Sequence, residues 1–251
     1  MQRHGTRIAL LLVAVLAVAG WTVGKGKKWY QDKPFEEWSE KEVQQMLAKS
    51  PWVQTHLYMA SSGGSVITGA AQSGNRGMGR DVQINPETRH YLRFQWFSAR
   101  PVRMALARKA LTGNSEIDRD GLEQFATEPM PDAVIALVLD SNPPGSPLLR
   151  TIQRSLQQMT LDEAAENTFL QAGKQKIPLQ DYRPPTGDGT GAKFIFPRSM
   201  EGGKPLLDPA GKDIRFQTRL RIDRRGGGSE DIRIRLKYKF KDMQFKGQLE
   251  Y

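Results

Sequence analysis

From Thr168 onward, apolar and polar residues alternate with the period of two expected of half-buried strands. Ile214 to Ile222, Ile232 to Phe240 and Phe245 to Leu249 predict an antiparallel three-strand meander. Thr168 to Gln171 and Lys176 to Leu179 predict a hairpin around Gly173, and Lys193 to Phe196 a short strand. Upstream the spacing is mixed. Tyr91 to Phe97 is strand-like and aromatic, and Ala133 to Leu139 is an apolar run of buried-strand length. Helical spacing places Val102, Ala105, Leu106 and Ala110 on one face from Pro101 to Leu111. It does the same for Leu148, Leu149, Ile152, Leu156 and Met159 from Ser146 to Met159. Glycine-rich Ser61 to Gly79 reads as a long loop, and Gly226-Gly227-Gly228 as a hairpin turn.

The best-specified local element starts at Ser39-Glu40-Lys41-Glu42, a capping box with Ser at the N-cap and Glu at N3. Trp38 and Val43 are spaced as a hydrophobic staple, and Pro51 stops the helix. A helix of this length is marginal alone, so Trp38, Val43, Met46 and Leu47 must dock on something: the chain's own core or a partner. Together the elements predict an α+β protein. Its first half mixes helices and strands, and its second half is antiparallel and sandwich-like, ending in the meander. The expected organisation is a signal peptide at 1–19, a basic linker at 20–32 and one α+β domain at 33–251, with a sub-boundary near 160–168.

The N-terminal expectation rests on Arg3 and Arg7, the apolar run Ile8 to Leu16 and the small-x-small site Ala17-Val18-Ala19. The apolar stretch to Val23 spans roughly 24 Å as a helix, short of the roughly 30 Å of a bilayer core. Lys25, Lys27 and Lys28 follow it, which fits an uncleaved anchor better than an exported flank. Cleaved signal, anchor and buried helix therefore stay open, in that order. The expected location is exported: periplasmic, envelope-associated or secreted.

Charge and composition narrow the partners. The chain carries +10, and removing Arg3 and Arg7 leaves 35 basic against 27 acidic residues, +8. Such an excess favours an anionic polymer, lipid headgroups or an acidic protein; outside the cytosol, nucleic acid is not expected. There is no cysteine, which excludes disulfides, thiolate metal sites and a lipoprotein thioether.

Two stretches carry a resemblance. Glu37-Trp38-Ser39-Glu40-Lys41 with Ser50-Pro51-Trp52 is one, and Trp96-Phe97-Ser98-Ala99-Arg100-Pro101-Val102-Arg103 is the other. Both resemble motifs in a group of uncharacterised exported proteins of soil acidobacteria. The resemblance implies a bacterial envelope or secreted location and implies no activity.

Candidate chemistry is thin, and no catalytic residue, cofactor or metal is expected. Gly187-Asp188-Gly189-Thr190-Gly191-Ala192-Lys193 has the glycines of a phosphate loop. It has Ala192 where Gly is needed, and Phe194 where Ser or Thr is needed. Glu116, Asp118 and Asp120 before Gly121 imitate a calcium loop, but Glu123 and Thr127 occupy its apolar and bidentate-Glu positions. His56 and His90 lack ligand neighbours at metal-binding spacing. Either histidine could serve a hydrolase, although no Gly-x-Ser-x-Gly elbow is present.

The meander carries the strongest signal. Arg215, Arg219 and Arg221 share one strand face; Arg233, Arg235, Lys237, Lys239 and Lys241 share the next. Residues 214–251 hold 11 basic and 5 acidic side chains, a net +6. Like charges opposite one another destabilise a sheet, so either acids of the same fold or an external anion must compensate. The leading reading is a non-enzymatic protein that binds an anionic surface or polymer through this face. The alternatives are an exported hydrolase and an assembly protein docking through the 39–50 helix.

Overall fold

Residues 28–59, 88–113, 118–223 and 228–251 are described by a computed structural model of the chain. The stretches expected to be a signal peptide (1–19) and a long loop (61–79), Glu116, and Gly226 and Gly227 of the expected hairpin turn lie outside them.

In chain order the elements are α1 (Glu40–Lys49), β1 (Val53–Met59), β2 (Arg89–Trp96), α2 (Arg100–Gly113), α3 (Arg119–Thr127) and β3 (Ala133–Asn142). Then come α4 (Pro147–Gln158), α5 (Leu161–Asn167), β4 (Phe169–Ala172), β5 (Gln175–Pro178), β6 (Asp181–Arg183) and β7 (Ala192–Phe196). The last are β8 (Asp213–Asp223), β9 (Ser229–Lys239), β10 (Gln244–Phe245) and β11 (Gln248–Leu249). The fold is α+β with antiparallel sheets and a C-terminal run of strands.

Each element follows from its local chemistry. The capping box of α1 forms in both directions: Glu42 N donates to Ser39 Oγ, and Ser39 N donates to Glu42 Oε2 at 2.7 Å. The bond from Lys33, backed by that from Ser39, pulls the Glu42 carboxyl down to about 2. A second capping box, Thr160 with Glu163, starts α5, and Ser146 caps α4 ahead of Pro147.

Two sheets stack. The first has the order β1-β2-β3-β7-β6 and the second β5-β4-β8-β9. Alternation gives each an inner apolar face, and aromatic rings interlock between them. Phe94 lies 5.2 Å from Phe216, Phe194 lies 5.6 Å from Phe216, and Trp96 lies 5.7 Å from Tyr238. The Tyr238 hydroxyl donates to Phe94 O at 3.0 Å, which satisfies a phenol buried at the seam. The outer face of the first sheet is covered: Phe97, Val134, Ala136 and Ile195 pack with Leu106 of α2 and Phe125 of α3. The outer face of the second sheet is left to solvent over β8 and β9.

Three details go beyond the expectation. The sandwich also takes in strands of the first half, because β6 and β7 join β1, β2 and β3 in one sheet across residues 160–168. Residues 245–249 do not extend β9. They fold on themselves as β10 and β11 around Lys246 (φ 48°) and Gly247 (φ 80°), a tight reversal that the alternating pattern cannot reveal. The segment read as the end of a linker is folded. Trp29–Gln31 form a 3₁₀ turn, Tyr30 is buried, and Trp29 meets Trp38 edge-on at 4.8 Å. Gln31 fixes the turn to the late hairpin, donating to Gln244 O at 2.8 Å and accepting from Lys246 N at 2.6 Å.

The glycines of 187–191 serve packing. Gly191 has φ +78°, and a Cβ there would stand 2.0 Å from Leu137 O, so only glycine lets this turn lie against β3. Asp188 accepts from Thr190 N and Oγ1 within the same turn.

Candidate functional site: the cationic sheet face

The register of β8 with β9 sets the charges in rungs. Arg215 stands opposite Lys237, Gln217 opposite Arg235, Arg219 opposite Arg233, Arg221 opposite Asp231 and Asp213 opposite Lys239. Between these residues Ile214, Phe216, Leu220 and Ile222 on β8, and Ile232, Ile234, Leu236 and Tyr238 on β9, point into the core. The alternation forces the cations onto the solvent side. Seven of the eight expected side chains share this face. Lys241 is exposed but lies in the turn leaving β9, beyond the ladder.

Acids from the same fold compensate only part of the charge. Lys237 Nζ is 2.7 Å from Asp213 Oδ2, and Arg219 reaches Asp231 at 3.7 Å and Asn167 Oδ1 at 2.8 Å. Arg221 is also engaged. Arg215, Arg233, Arg235 and Lys239 have no ion pair or hydrogen bond from their side chains among the described residues. Two rungs, Arg215/Lys237 and Arg219/Arg233, place like charges directly opposite, an arrangement that costs stability.

The neighbouring strands extend the face. In register, Lys176 of β5 and Gln171 of β4 continue the Arg215/Lys237 rung, while Pro178 and Phe169 continue the Gln217/Arg235 rung. A shallow concavity of about 500 Å³ opens here, lined by Gln171, Arg215, Gln217, Arg235, Leu236 and Lys237. A larger cavity, about 1300 Å³, lies elsewhere, between β5 and residues 197–213. Its charges are of both signs, Lys204 and Lys212 with Glu201 and Asp208, and they set up no single electrostatic preference.

The helix expected to dock a partner does not present its stripe. Trp38, Val43, Met46 and Leu47 are 0%, 3%, 1% and 8% exposed. The docking reading is corrected: those four residues are core of this chain, and Arg108 Nε ties Trp38 O to α2 at 2.9 Å.

His90 is buried and paired with a serine. Its Nδ1 lies 3.1 Å from Tyr58 O, and because a carbonyl can only accept, Nδ1 carries the proton. Nε2 then accepts from the Ser146 hydroxyl at 2.8 Å. Burial lowers the pKa of His90, which keeps the ring neutral. The pair resembles a nucleophile and its base. Yet Ser146 Oγ already accepts from Leu148 N as the cap of α4, and the serine is 7% exposed. Those contacts make the pair a polar clasp between β2 and α4. His56 is partly buried, its Nε2 has no hydrogen-bond partner among the described residues, and burial lowers its pKa too. Among the described residues no group of three or more His, Asp or Glu could hold a metal ion, and no helix is long and apolar enough to cross a membrane.

The residue that sequence reasoning missed is Arg103. It is 2% exposed and donates to Ser98 O at 3.1 Å, and also to Phe125 O and Glu128 O. It caps the C-terminus of α3 from inside the fold, where a cation meets the negative end of the helix. Burial lowers its pKa to about 10, so it remains charged at neutral pH. Its one signal in the sequence was a basic residue among Pro101, Val102, Met104 and Ala105.

Compared with known proteins, the chain matches no family model, no curated protein and no solved structure.

Proposed function

We propose that this is an exported, non-enzymatic protein that binds an anionic polymer or surface through the outer face of β8 and β9. One observation carries the reading. The face keeps two like-charged rungs and four cations without an ion-pair partner among the described residues. A solvated face has no need of like charges in register, and moderate salt would screen only part of their repulsion. A polyanion laid on the rungs turns that cost into attraction. The export half of the proposal is supported by the charged n-region, apolar run and small-residue site of residues 1–19.

The test replaces Arg215, Arg233, Arg235 and Lys239 with Gln, sparing the Lys237–Asp213 and Arg219–Asp231 pairs. Folding is expected to be unchanged or slightly firmer, since repulsion is relieved. Retention on a heparin column should fall to much lower salt, with a flatter dependence on ionic strength. A folded variant that elutes with the parent protein would refute the proposal.

A further inference from the structure

We infer that the ligand of this face is an acidic polysaccharide bearing carboxylates, seated on the concavity between Gln171 and Arg235. This rests on the anion-binding reading above and narrows it to one chemical class.

The hydrogen bonds within the concavity decide the class. Gln171 Nε2 donates to Gly173 O at 3.1 Å. That carbonyl can only accept, so the Gln171 amide is oriented with Oε1 toward Gln217. Gln217 Nε2 donates to this oxygen at 2.8 Å. The chain of bonds leaves Gln217 Oε1 as an acceptor that receives no hydrogen bond among the described residues. It sits beside Arg215 and opposite Arg235, while the acids of the face, Asp213 and Asp231, are committed to Lys237 and Arg219. Sulfate, phosphodiester groups and the internal units of a polyphosphate chain carry no proton at neutral pH and gain nothing from such an acceptor. A sugar hydroxyl donates to it. The neighbouring guanidinium groups grip carboxylates with two parallel N–H bonds, as they do phosphates, so the sugar hydroxyl is what separates the classes.

Two further features agree. Pro178 is exposed at the end of the Gln217/Arg235 rung, beside Phe169, an apolar step that suits the C–H face of a pyranose. The Lys176 ammonium lies over the Phe169 ring at 3.9 Å, within reach of a carboxylate above it. A bilayer is disfavoured because the face offers nothing to insert. The one large hydrophobic side chain that is exposed among the described residues is Leu161, on α5. The rungs also suit a linear ligand. Alternate residues of a strand lie roughly 6.6 Å apart, so Arg215 to Arg221 gives a cationic track of about 20 Å.

The experiment measures binding of the full protein to polygalacturonate, to inorganic polyphosphate and to phosphatidylglycerol vesicles, at one ionic strength. The protein is compared with its Gln217→Leu variant, which removes the amide without changing charge. Polygalacturonate is expected to bind most tightly, and Gln217→Leu to weaken it at least fivefold while leaving polyphosphate unchanged. Gln171→Leu, on the next strand, should act in the same direction and serves if Gln217→Leu lowers the melting midpoint. Equal or tighter binding of polyphosphate or vesicles overturns the inference. So does indifference of polygalacturonate binding to both amide variants. In either case the anion-binding reading stands. If none of the three polyanions binds, that reading itself has failed.

Discussion

Replacing Arg103 with methionine keeps an unbranched apolar stem and removes the guanidinium, with its charge and its N–H groups. Three carbonyls then lose their donor: Ser98 O before α2, and Phe125 O and Glu128 O at the end of α3. Hydrogen bonds from a charged donor contribute roughly 1.5–3 kcal/mol each, so the loss is about 4–9 kcal/mol in total. A guanidinium no longer has to be held away from water, which offsets several kcal/mol of that. Its electrostatic surroundings oppose one another, since Glu250 favours the charge while Arg100 and Arg198 oppose it. The net expectation is a destabilisation of about 2–4 kcal/mol. For a chain of this size that lowers the melting midpoint by roughly 5–15 °C. Arg103→Lys retains a cation but loses the fork, and should fall between methionine and the parent. Thermal unfolding followed by near-ultraviolet circular dichroism reads all three proteins. If the methionine variant melts within about 1 °C of the parent, water replaces the lost donor, and the capping of α3 by Arg103 contributes nothing to stability.

Two other outcomes are expected. His90 and His56 both have pKa values lowered by burial, so the unfolded chain binds protons more readily than the folded one. Stability to urea should therefore be full above the ordinary histidine value of about 6.5 and decline as pH falls below it; a flat or rising profile between pH 7.5 and 5.5 would contradict the buried neutral state. N-terminal sequencing of native material should find a chain beginning at or near Gly20 in a non-cytosolic fraction, and an intact Met1 in the soluble cytosol would sink the export reading.

Short-range chemistry was legible in the sequence. The capping box at Ser39, the apolar run from Ala133 and the alternation through β8 and β9 each depend on residues a few positions apart, and each appears where expected. The charged side of the ladder follows from the same alternation, so most of the candidate site could be read before any fold was known. What the pattern could not supply was the partnership of distant segments. Nothing in Ala192 to Phe196 says that it pairs with Ala133 to Leu137 rather than with its sequence neighbours. Trp29 and Tyr30 were lost among lysines and glycines, although two aromatic rings side by side carry enough apolar area to anchor a polar stretch. Arg103 was concealed by the usual rule that cations lie outside. It lies inside because α2 is covered on more than one side and the end of α3 needs a donor there. The amide pair Gln171–Gln217 was out of reach, since it exists only once β4 is placed beside β8.

Several contacts that close the early aromatic core come from the last residues described. Trp52 Nε1 donates to Glu250 O at 2.8 Å, the Trp96 ring meets Tyr251 at 6.0 Å, and Tyr238 closes over Phe94. A chain emerging from the ribosome or a secretion pore N-terminus first therefore leaves these tryptophans without their cover for most of its passage. Folding waits for the final strands, in a single late and long-range closure that should be slow. Under the proposed export that delay is useful: a polypeptide that cannot set before its late strands arrive stays threadable, and it would lock only after release on the far side.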